Sequence, residues 1–292
     1  MIAIQSGRML CCKKHGKKMH TPPPCKVFQD LEHYLNGPFQ ATEGWCAGHV
    51  WQTLLPLVLA QHALNFSAPV AEVGPYHGKF FWGLVQSTPA IMRHLAIDIF
   101  GLEQENADQS GVKGDRALFL GHGRSLGIQE SAINLIEKDS LTLTAESIQT
   151  QYNTKTPFSF FSVDGAHHPD YVEHDLNLAL SLTDRRGIII VDDYSNPRWH
   201  CVQEVVARKY LLSDPEFVPL SFSCNKLFLC HRDFLASYRK VVRDFIMTEF
   251  PDTRVYDTDR FGHLGLTILP DMKKNMRVPV YKNTMLEKIR IA

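Results

Sequence analysis

Two short acidic segments contain the residues that are best suited to chemistry. Asp164 follows the apolar run at residues 158–163, and Asp192 and Asp193 follow the apolar run at residues 187–191. Buried parallel strands have this composition, and ligands of open α/β sheets bind outside the carboxyl ends of the strands. If the two strands are neighbours, three carboxylates meet in one crevice. Their mutual repulsion would favour a bound divalent cation.

A glycine-containing turn follows an earlier apolar strand. Glu72, Gly74 and Gly78 form the pattern E-x-G-x-x-x-G where residues 70–73 run into a predicted helix. Glycine is needed where a backbone must approach a ligand closely. The turn lacks the G-x-G-x-x-G spacing of a dinucleotide site. It therefore predicts a ligand-binding turn of another kind.

Strand and helix patterns alternate along the chain and must position these side chains. Strands are predicted at residues 70–73, 95–100, 132–136, 158–163 and 187–191. Helices are predicted between them and at residues 198–212. Two further apolar runs, near residues 217–223 and 227–230, flank Asn225 and predict a hairpin. The order predicts an α/β fold: a doubly wound, Rossmann-like, mostly parallel sheet with a C-terminal antiparallel hairpin and extensions at both ends.

The domain organisation follows from the same patterns. We predict a flexible tail at residues 1–26, a helical cap at 27–69, a ligand-binding domain at 70–232, and a C-terminal helix with an irregular extension at 233–292. Residues 257–263 have a loop-like composition. A zinc site could be drawn in the tail, but its spacing fits no strong zinc pattern; its residues would be Cys11, Cys12, His15, His20 and Cys25.

Composition restricts the classes of function. The 292 residues contain 31 Lys and Arg against 31 Asp and Glu, so the chain lacks the basic excess of a general nucleic-acid binder. No apolar run approaches the roughly 18 residues of a membrane span. Seven scattered cysteines form no disulfide framework, which favours a reducing, cytoplasmic location. Neither nucleic acid nor a membrane is therefore expected as a partner, and a homo-oligomer stays open.

The glycine turn resembles the S-adenosylmethionine-binding loop of class I methyltransferases. The resemblance implies that Asp98, at the end of the second predicted strand, binds the ribose hydroxyls, and that Asp139 and Ser140, after the third, contact the adenine. A carboxylate suits a diol because it accepts two strong hydrogen bonds. The cofactor-binding residues implied are Glu72, Gly74, Pro75, Tyr76, Gly78, Asp98, Asp139, Ser140 and Asp164.

The acidic segments resemble those of the metal-dependent sugar O-methyltransferases related to the macrocin and mycinamicin enzymes. The resemblance covers about residues 70–194 and implies that Asp164, Asp192 and Asp193 bind magnesium. It also implies that His167, three residues after Asp164, is the catalytic base, with Asp164 sharing in catalysis. An imidazole with an ordinary pKa of about 6.5 suits proton removal at neutral pH. His168 is the competing base, and the Asp192–Asp193 pair could instead cap the following helix.

The sequence therefore predicts a magnesium-dependent O-methyltransferase that acts on a small hydroxylated molecule. In this reaction a hard cation would hold the acceptor oxygen and lower its pKa. A metal-independent methyltransferase that acts on nitrogen or oxygen is the first alternative. A nucleotide-sugar-processing enzyme, whose paired aspartates bind a metal–diphosphate, is the less favoured one.

Overall fold

A computed structural model describes residues 24–88, 92–102, 113–152, 157–289 and 291. The predicted tail therefore lies almost wholly outside the described residues, together with Cys11, Cys12, His15 and His20. Cys25, the fifth residue of the zinc alternative, is buried in the first helix. None of the described cysteines forms a disulfide. The boundaries proposed for the four domains stay predictions.

Nine strands of the described chain form one sheet in the order β3-β2-β1-β4-β5-β7-β6-β9-β8. Neighbours from β3 to β5 are parallel, and β7 pairs antiparallel with both β5 and β6. This confirms the predicted doubly wound sheet with its C-terminal hairpin. The strands are β1 Val70–Val73, β2 His94–Asp98, β3 Ile133–Glu137, β4 Phe158–Val163, β5 Thr183–Val191, β6 Phe217–Ser223, β7 Lys226–His231, β8 Arg254–Arg260 and β9 His263–Leu269.

Ten α-helices of the described chain surround the sheet, and none of them is long and apolar enough to cross a membrane. Two begin with side-chain caps, since Asp115 and Thr144 accept hydrogen bonds from the first turns of α5 and α6. The helices are α1 Pro24–Asn36, α2 Pro38–Ala41, α3 Trp51–Ala63, α4 Phe81–Gln86, α5 Arg116–Ser125, α6 Ala145–Gln151, α7 Pro169–Leu182, α8 His200–Leu212, α9 Leu235–Glu249 and α10 Asn283–Glu287.

Helices cover both faces of the central strands, which explains the uninterrupted apolar runs. In β5, Ile188 and Ile190 pack with α1, α3, α4 and α9, whereas Ile189 and Val191 pack with α7 and α8 on the opposite face. All four side chains are essentially inaccessible to solvent. Polar side chains that lie where such strands end are therefore held on a rigid support.

The prediction of a loop at residues 257–263 is wrong. Most of this segment belongs to β8 and β9, which form an antiparallel hairpin, and β9 pairs parallel with β6 to extend the sheet. β8 lies at the edge of the sheet, and each of its side chains is either exposed or half-buried. An edge strand needs few apolar residues, so the charged sequence of β8 did not indicate a strand. The predicted C-terminal helix is present as α9.

Candidate active site

A cavity of about 780 Å³ opens at the carboxyl ends of β1, β2, β4 and β5. After β1 the chain adds β2 on one side of it and later adds β4 on the other side. This reversal is a topological switch point, and sheets of this kind bind ligands there. The loop between α2 and α3 also contributes to the wall, through residues 44–47. The sequence-predicted site residues in the wall are Glu72, Gly74, Pro75, Tyr76, Asp98, Asp139, Ser140, Asp164, His167, Asp192 and Asp193.

The glycine turn is shaped by a close approach of two backbone segments. Gly74 has φ +80°, and a β-carbon on it would lie 1.9 Å from the carbonyl oxygen of Asp164. Gly78 has φ +86° and packs behind the turn, where a β-carbon would lie 2.3 Å from Trp82 Nε1. Glycine is required at both positions because of the backbone conformation and the missing space. The turn therefore brings β1 and the Asp164 loop together.

Glu72 is a buried carboxyl group on the cavity wall. Its Oε2 atom has no hydrogen-bond partner among the described residues. Burial raises the pKa of Glu72 to about 8, although the positive charge of Lys226 opposes that rise. An unpartnered buried acceptor costs folding free energy, so Glu72 is placed to receive a donor from a ligand in the cavity.

Asp98 and Asp139 line the same half of the cavity. Asp98 accepts backbone hydrogen bonds from Tyr76 at 2.9 Å and Phe100 at 2.8 Å. Burial raises the pKa of Asp98, and these two bonds offset part of that rise. Asp139 accepts the Tyr171 hydroxyl at 3.0 Å. Each carboxylate oxygen retains a second acceptor position, so both groups fit the diol and base of a nucleoside.

The other half of the cavity holds a cluster of Asp164, His167 and Asp193. The imidazole Nε2 of His167 lies 2.8 Å from Asp193 Oδ2 and 4.0 Å from Asp164 Oδ1. One ligand atom from each residue lies within 4.8 Å of the others, a spacing that could hold a metal ion. Burial, followed by the neighbouring Asp192 carboxylate, raises the pKa of Asp164 well above its usual range.

The orientation of Asp193 is fixed from several directions. Its Oδ1 atom accepts hydrogen bonds from Asn196 Nδ2 at 2.8 Å and Asn225 Nδ2 at 2.6 Å, which leaves Oδ2 for His167. The backbone of Asp193 has φ +52°, a left-handed conformation that Asp tolerates better than most residues. Burial alone would raise the pKa of Asp193, but the hydrogen bonds from His167 and Asn196 lower it below the usual value.

The two candidate histidines have different surroundings. His167 is mostly buried in the cavity wall, and the indole of Trp199 stacks on its ring with centroids 4.7 Å apart. The Cys201 thiol donates to the backbone carbonyl of His167 at 2.9 Å. The side chain of His168 is 57% exposed and lies 3.9 Å from Asp170. The structure thus places His167 at the cavity and His168 at the surface.

Asp192 differs from the other acidic residues because a lysine contacts it directly. Its Oδ2 accepts a hydrogen bond from Lys226 Nζ, and its Oδ1 accepts from the Asp193 backbone N–H at 2.7 Å. Burial alone would lower the pKa of Lys226, but the carboxylates of Asp192 and Asp164 raise it above its usual value. The hydrogen bond places the Lys226 ammonium against Asp192, and a second cation on the same carboxylate would be repelled by it.

Sequence reasoning missed Lys226, Asn196 and Asn225 as site residues. The antiparallel register of β5 and β7 places Val191 opposite Leu227, so the next pair towards the cavity is Asp192 and Lys226. The signal available in the sequence was the predicted hairpin around Asn225. Its second strand starts with Lys226, and a lysine at that position would form an ion pair if the strand lay beside the acidic end of another strand. That signal depended on knowing that β7 is the neighbour of β5.

One family model matches a segment that forms much of the wall of this cavity. Residues 71–194 match the model of a family described as a methyltransferase domain, which covers less than half of the chain. No curated protein sequence matches the chain. The matched segment contains the glycine turn, Asp98 and the acidic cluster described above.

Three solved structures illustrate what the fold is similar to. The Bacillus cereus O-methyltransferase, solved in complex with S-adenosylhomocysteine, has 14% identity and a TM-score of 0.44, with 69% of this chain and 88% of that chain covered. TomG from Streptomyces achromogenes, involved in tomaymycin synthesis, has 15% identity and a TM-score of 0.39, with 82% and 86% covered. MycE of the mycinamycin pathway, solved with Mg, S-adenosylhomocysteine and mycinamycin VI, has 15% identity and a TM-score of 0.44, with 69% and 53% covered.

Proposed function

We propose that this chain, whose residues 71–194 match the model of a methyltransferase domain, is a class I S-adenosylmethionine-dependent methyltransferase that methylates a hydroxyl oxygen of a small molecule. The observation that carries the proposal is the pair of His167 Nε2 and Asp193 Oδ2, 2.8 Å apart, in the wall of the same cavity that contains Glu72 and Asp98. One half of the cavity thus suits a nucleoside cofactor, and the other half suits removal of a proton from an acceptor.

The cofactor half fits S-adenosylmethionine by its donors and acceptors. Asp98 would bind the ribose hydroxyls, Asp139 and Ser140 would lie at the adenine, and the unpartnered Oε2 of Glu72 would accept a hydrogen bond from the methionine end. When bound, this cofactor supplies a methyl group whose carbon–sulfur bond breaks as the acceptor oxygen attacks the carbon. These residue roles rest on the positions of the side chains in the wall.

His167 would take the proton of the acceptor hydroxyl. Asp193 lies at Nε2 of the imidazole and favours the charged imidazolium that forms when His167 takes the proton. Trp199 limits rotation of the ring by stacking on it. Asn196 and Asn225 keep the Asp193 carboxylate in place. A neutral alcohol needs such a base, whereas an amine that is already deprotonated does not.

A divalent cation is a second candidate component, because Asp164, His167 and Asp193 have suitable spacing. When bound, the cation would lower the pKa of a coordinated hydroxyl group. The three-aspartate set predicted from the sequence fits less well, since a metal ion on Asp192 would lie beside the Lys226 ammonium that already binds its Oδ2. The set with His167 would use Nε2, the ring nitrogen that faces both carboxylates, so the ion would replace the contact between His167 and Asp193.

Turnover with matched acceptors tests the proposal. The protein would be incubated with S-adenosylmethionine and with pairs of sugars, phenols and amines that differ only in the acceptor atom, and S-adenosylhomocysteine release would be measured by mass spectrometry. We expect methylation of hydroxyl compounds and little of the matched amines. Preference for the amines would favour the N-methyltransferase alternative. In calorimetry, tight binding of a UDP-sugar with no binding of S-adenosylhomocysteine would instead support the nucleotide-sugar alternative.

The identity of the hydroxylated acceptor and a cytoplasmic location are parts of the same proposal. The location rests on the seven scattered cysteines of the sequence, whose odd number and spacing favour a reducing compartment. Trp45, which is exposed and lies 5.5 Å from Tyr76 between ring centroids, belongs to the cavity wall and would contact an apolar face of the acceptor. Tracking of a tagged protein by microscopy would test the location.

A further inference from the structure

Lys226 is a buried cation inside the acidic part of the cavity. Its side chain is 1% exposed, and its Nζ atom donates to Asp192 Oδ2 and lies 4.5 Å from the centroid of the Phe80 ring. A lysine is almost never buried to this degree unless it is paired. Its position at the first residue of β7 is fixed by the pairing of β7 with β5 and β6.

A continuous set of contacts connects Lys226 to the proposed base. Lys226 binds one oxygen of Asp192, and the other oxygen of Asp192 accepts the Asp193 backbone N–H at 2.7 Å. The Asp193 carboxylate in turn lies 2.8 Å from His167. The lysine thereby helps to hold the left-handed backbone of Asp193 in the orientation that presents its carboxylate to the imidazole.

The same ammonium provides positive charge to the surrounding carboxyl groups. Asp192 is in contact with it, and Asp164 and Glu72 are near enough to interact with it electrostatically. A divalent cation held by carboxylates at the ends of β4 and β5 would supply charge at this same place. The ammonium is part of the fold and is present whether or not such an ion binds.

We propose that Lys226 is a positioning residue and the resident cation of this site. Its ammonium binds Asp192 and, through Asp192, helps to position Asp193 and His167. The ammonium takes the place that a divalent ion would have at Asp192. The inference deepens the proposed O-methyltransferase function and rests on it. It specifies that proton removal by His167 proceeds without added metal. Asp192 is accordingly a partner of Lys226, and its carboxylate is not a metal ligand.

Three variants and a matched control test this role. Lys226→Met removes the charge at similar length, Lys226→Arg keeps it, and Lys226→Met/Asp192→Asn removes both partners of the pair. Lys240→Met makes the same chemical change on the exposed surface of α9, where Lys240 forms an ion pair with the exposed Asp244. Circular dichroism and thermal melts establish which variants fold. If Lys226→Met does not fold, the double variant is used, since it leaves no unpaired buried charge.

Binding measurements come first because they do not depend on knowing the acceptor. Mn²⁺ affinity is measured by calorimetry or electron paramagnetic resonance, and S-adenosylmethionine and S-adenosylhomocysteine affinities are compared in excess chelator. We expect Lys226→Met to bind Mn²⁺ at least about tenfold more tightly than the wild type, because an uncompensated carboxylate is left. The same variant should favour the positively charged S-adenosylmethionine over S-adenosylhomocysteine more than the wild type does. The double variant and Lys240→Met should resemble the wild type in both measurements.

Turnover then tests the positioning role. We expect the wild type to keep its rate in excess chelator, Lys226→Met to lose about tenfold or more in kcat with little change in acceptor KM, and Lys226→Arg to recover most of the loss. A wild-type rate that vanishes with chelator and returns with Mg²⁺ would overturn the proposal. Equal Mn²⁺ affinities in the wild type and in Lys226→Met would also overturn it. If Lys226→Met does not fold, a double variant that keeps the full rate would overturn it instead. If S-adenosylhomocysteine binds but no hydroxyl acceptor is methylated, the proposed function fails, and the binding measurements still decide the role of Lys226.

Discussion

The imidazole of His167 lies 2.8 Å from Asp193 across the gap between the ends of β4 and β5. His167 lies in the loop after β4, and Asp193 lies two residues after β5, so the pairing of these strands sets the distance between them. Because both strands are buried on both faces, the pair is held by the core of the molecule. A base on such a support loses little entropy when the substrate binds.

Replacement of His167 by alanine tests its assignment as the base. General base catalysis contributes about 10²–10⁴-fold, so His167→Ala should lower kcat by roughly that factor. His168→Ala is the matched control, because this neighbouring histidine is exposed and lies beside Asp170. Steady-state kinetics over pH 5–9 would measure both. Equal losses in the two variants, or a normal pH profile in His167→Ala, would assign the proton to another group.

Replacement of Asp193 by asparagine separates orientation from charge. The amide keeps the size of the side chain but removes the negative charge that stabilises the imidazolium. We expect a fall in kcat of about 10²-fold or more, with S-adenosylhomocysteine affinity nearly unchanged. Calorimetry supplies the binding measurement, and a loss of cofactor affinity as large as the loss of kcat would place Asp193 in the cofactor half of the cavity.

The sequence predicted those parts of the molecule that depend on local pattern. Strands buried on both faces appear as apolar runs that end abruptly at a polar residue, so the amino-acid order alone places Asp164, Asp192 and Asp193 at strand ends. The second strand, predicted at residues 95–100, instead ends at Asp98. Gly74 could be recognised as special, although its main constraint is the carbonyl of Asp164 and not a ligand. Local pattern therefore indicated the crevice and most of its acidic wall.

The parts that could not be predicted depend on pairing between distant segments. Lys226 reaches Asp192 only because β7 pairs antiparallel with β5, and a lysine at the start of an apolar run does not reveal that register. The β8–β9 hairpin was not predicted for a different reason. As an edge strand with exposed faces, β8 carries Asp257 and Asp259 and lacks the apolar alternation that marks a half-buried strand.

The buried carboxyl of Glu72 predicts a dependence of stability on pH. Its pKa is about 8 in the folded protein against an ordinary value of 4.5, so the folded state binds a proton that the unfolded state releases. This contribution to stability is fully present below about pH 4.5 and is lost as the pH rises towards 8. Between these two values the free energy of unfolding falls by roughly 1.4 kcal/mol per pH unit. The free energy of unfolding without ligand, measured in urea at pH 5 and pH 8, should fall less in Glu72→Gln than in the wild type.

Glu204→Gln is the control for this measurement, because Glu204 is exposed on α8 and the change from carboxyl to amide is the same. Its pH dependence should match that of the wild type. Asp98 also has a raised pKa, so some dependence should persist in Glu72→Gln. If Glu72→Gln and the wild type lose the same free energy between pH 5 and pH 8, Glu72 is ionised in the folded protein, and the effect of the Lys226 charge on its pKa outweighs the effect of burial.

Alanine at Gly74 tests whether the glycine turn is constrained by the fold itself. The new β-carbon would overlap the carbonyl oxygen of Asp164 at 1.9 Å, and φ +80° adds strain, so we expect a loss of about 4 kcal/mol or more in the free energy of unfolding. Gly127→Ala is the matched comparison, since Gly127 has φ +76° but a β-carbon added there would have no neighbouring atom within 4 Å. It should lose only about 1–2 kcal/mol, the cost of the left-handed conformation. Urea unfolding measures both, and similar losses would mean that backbone strain, and not contact with the Asp164 loop, requires the glycine.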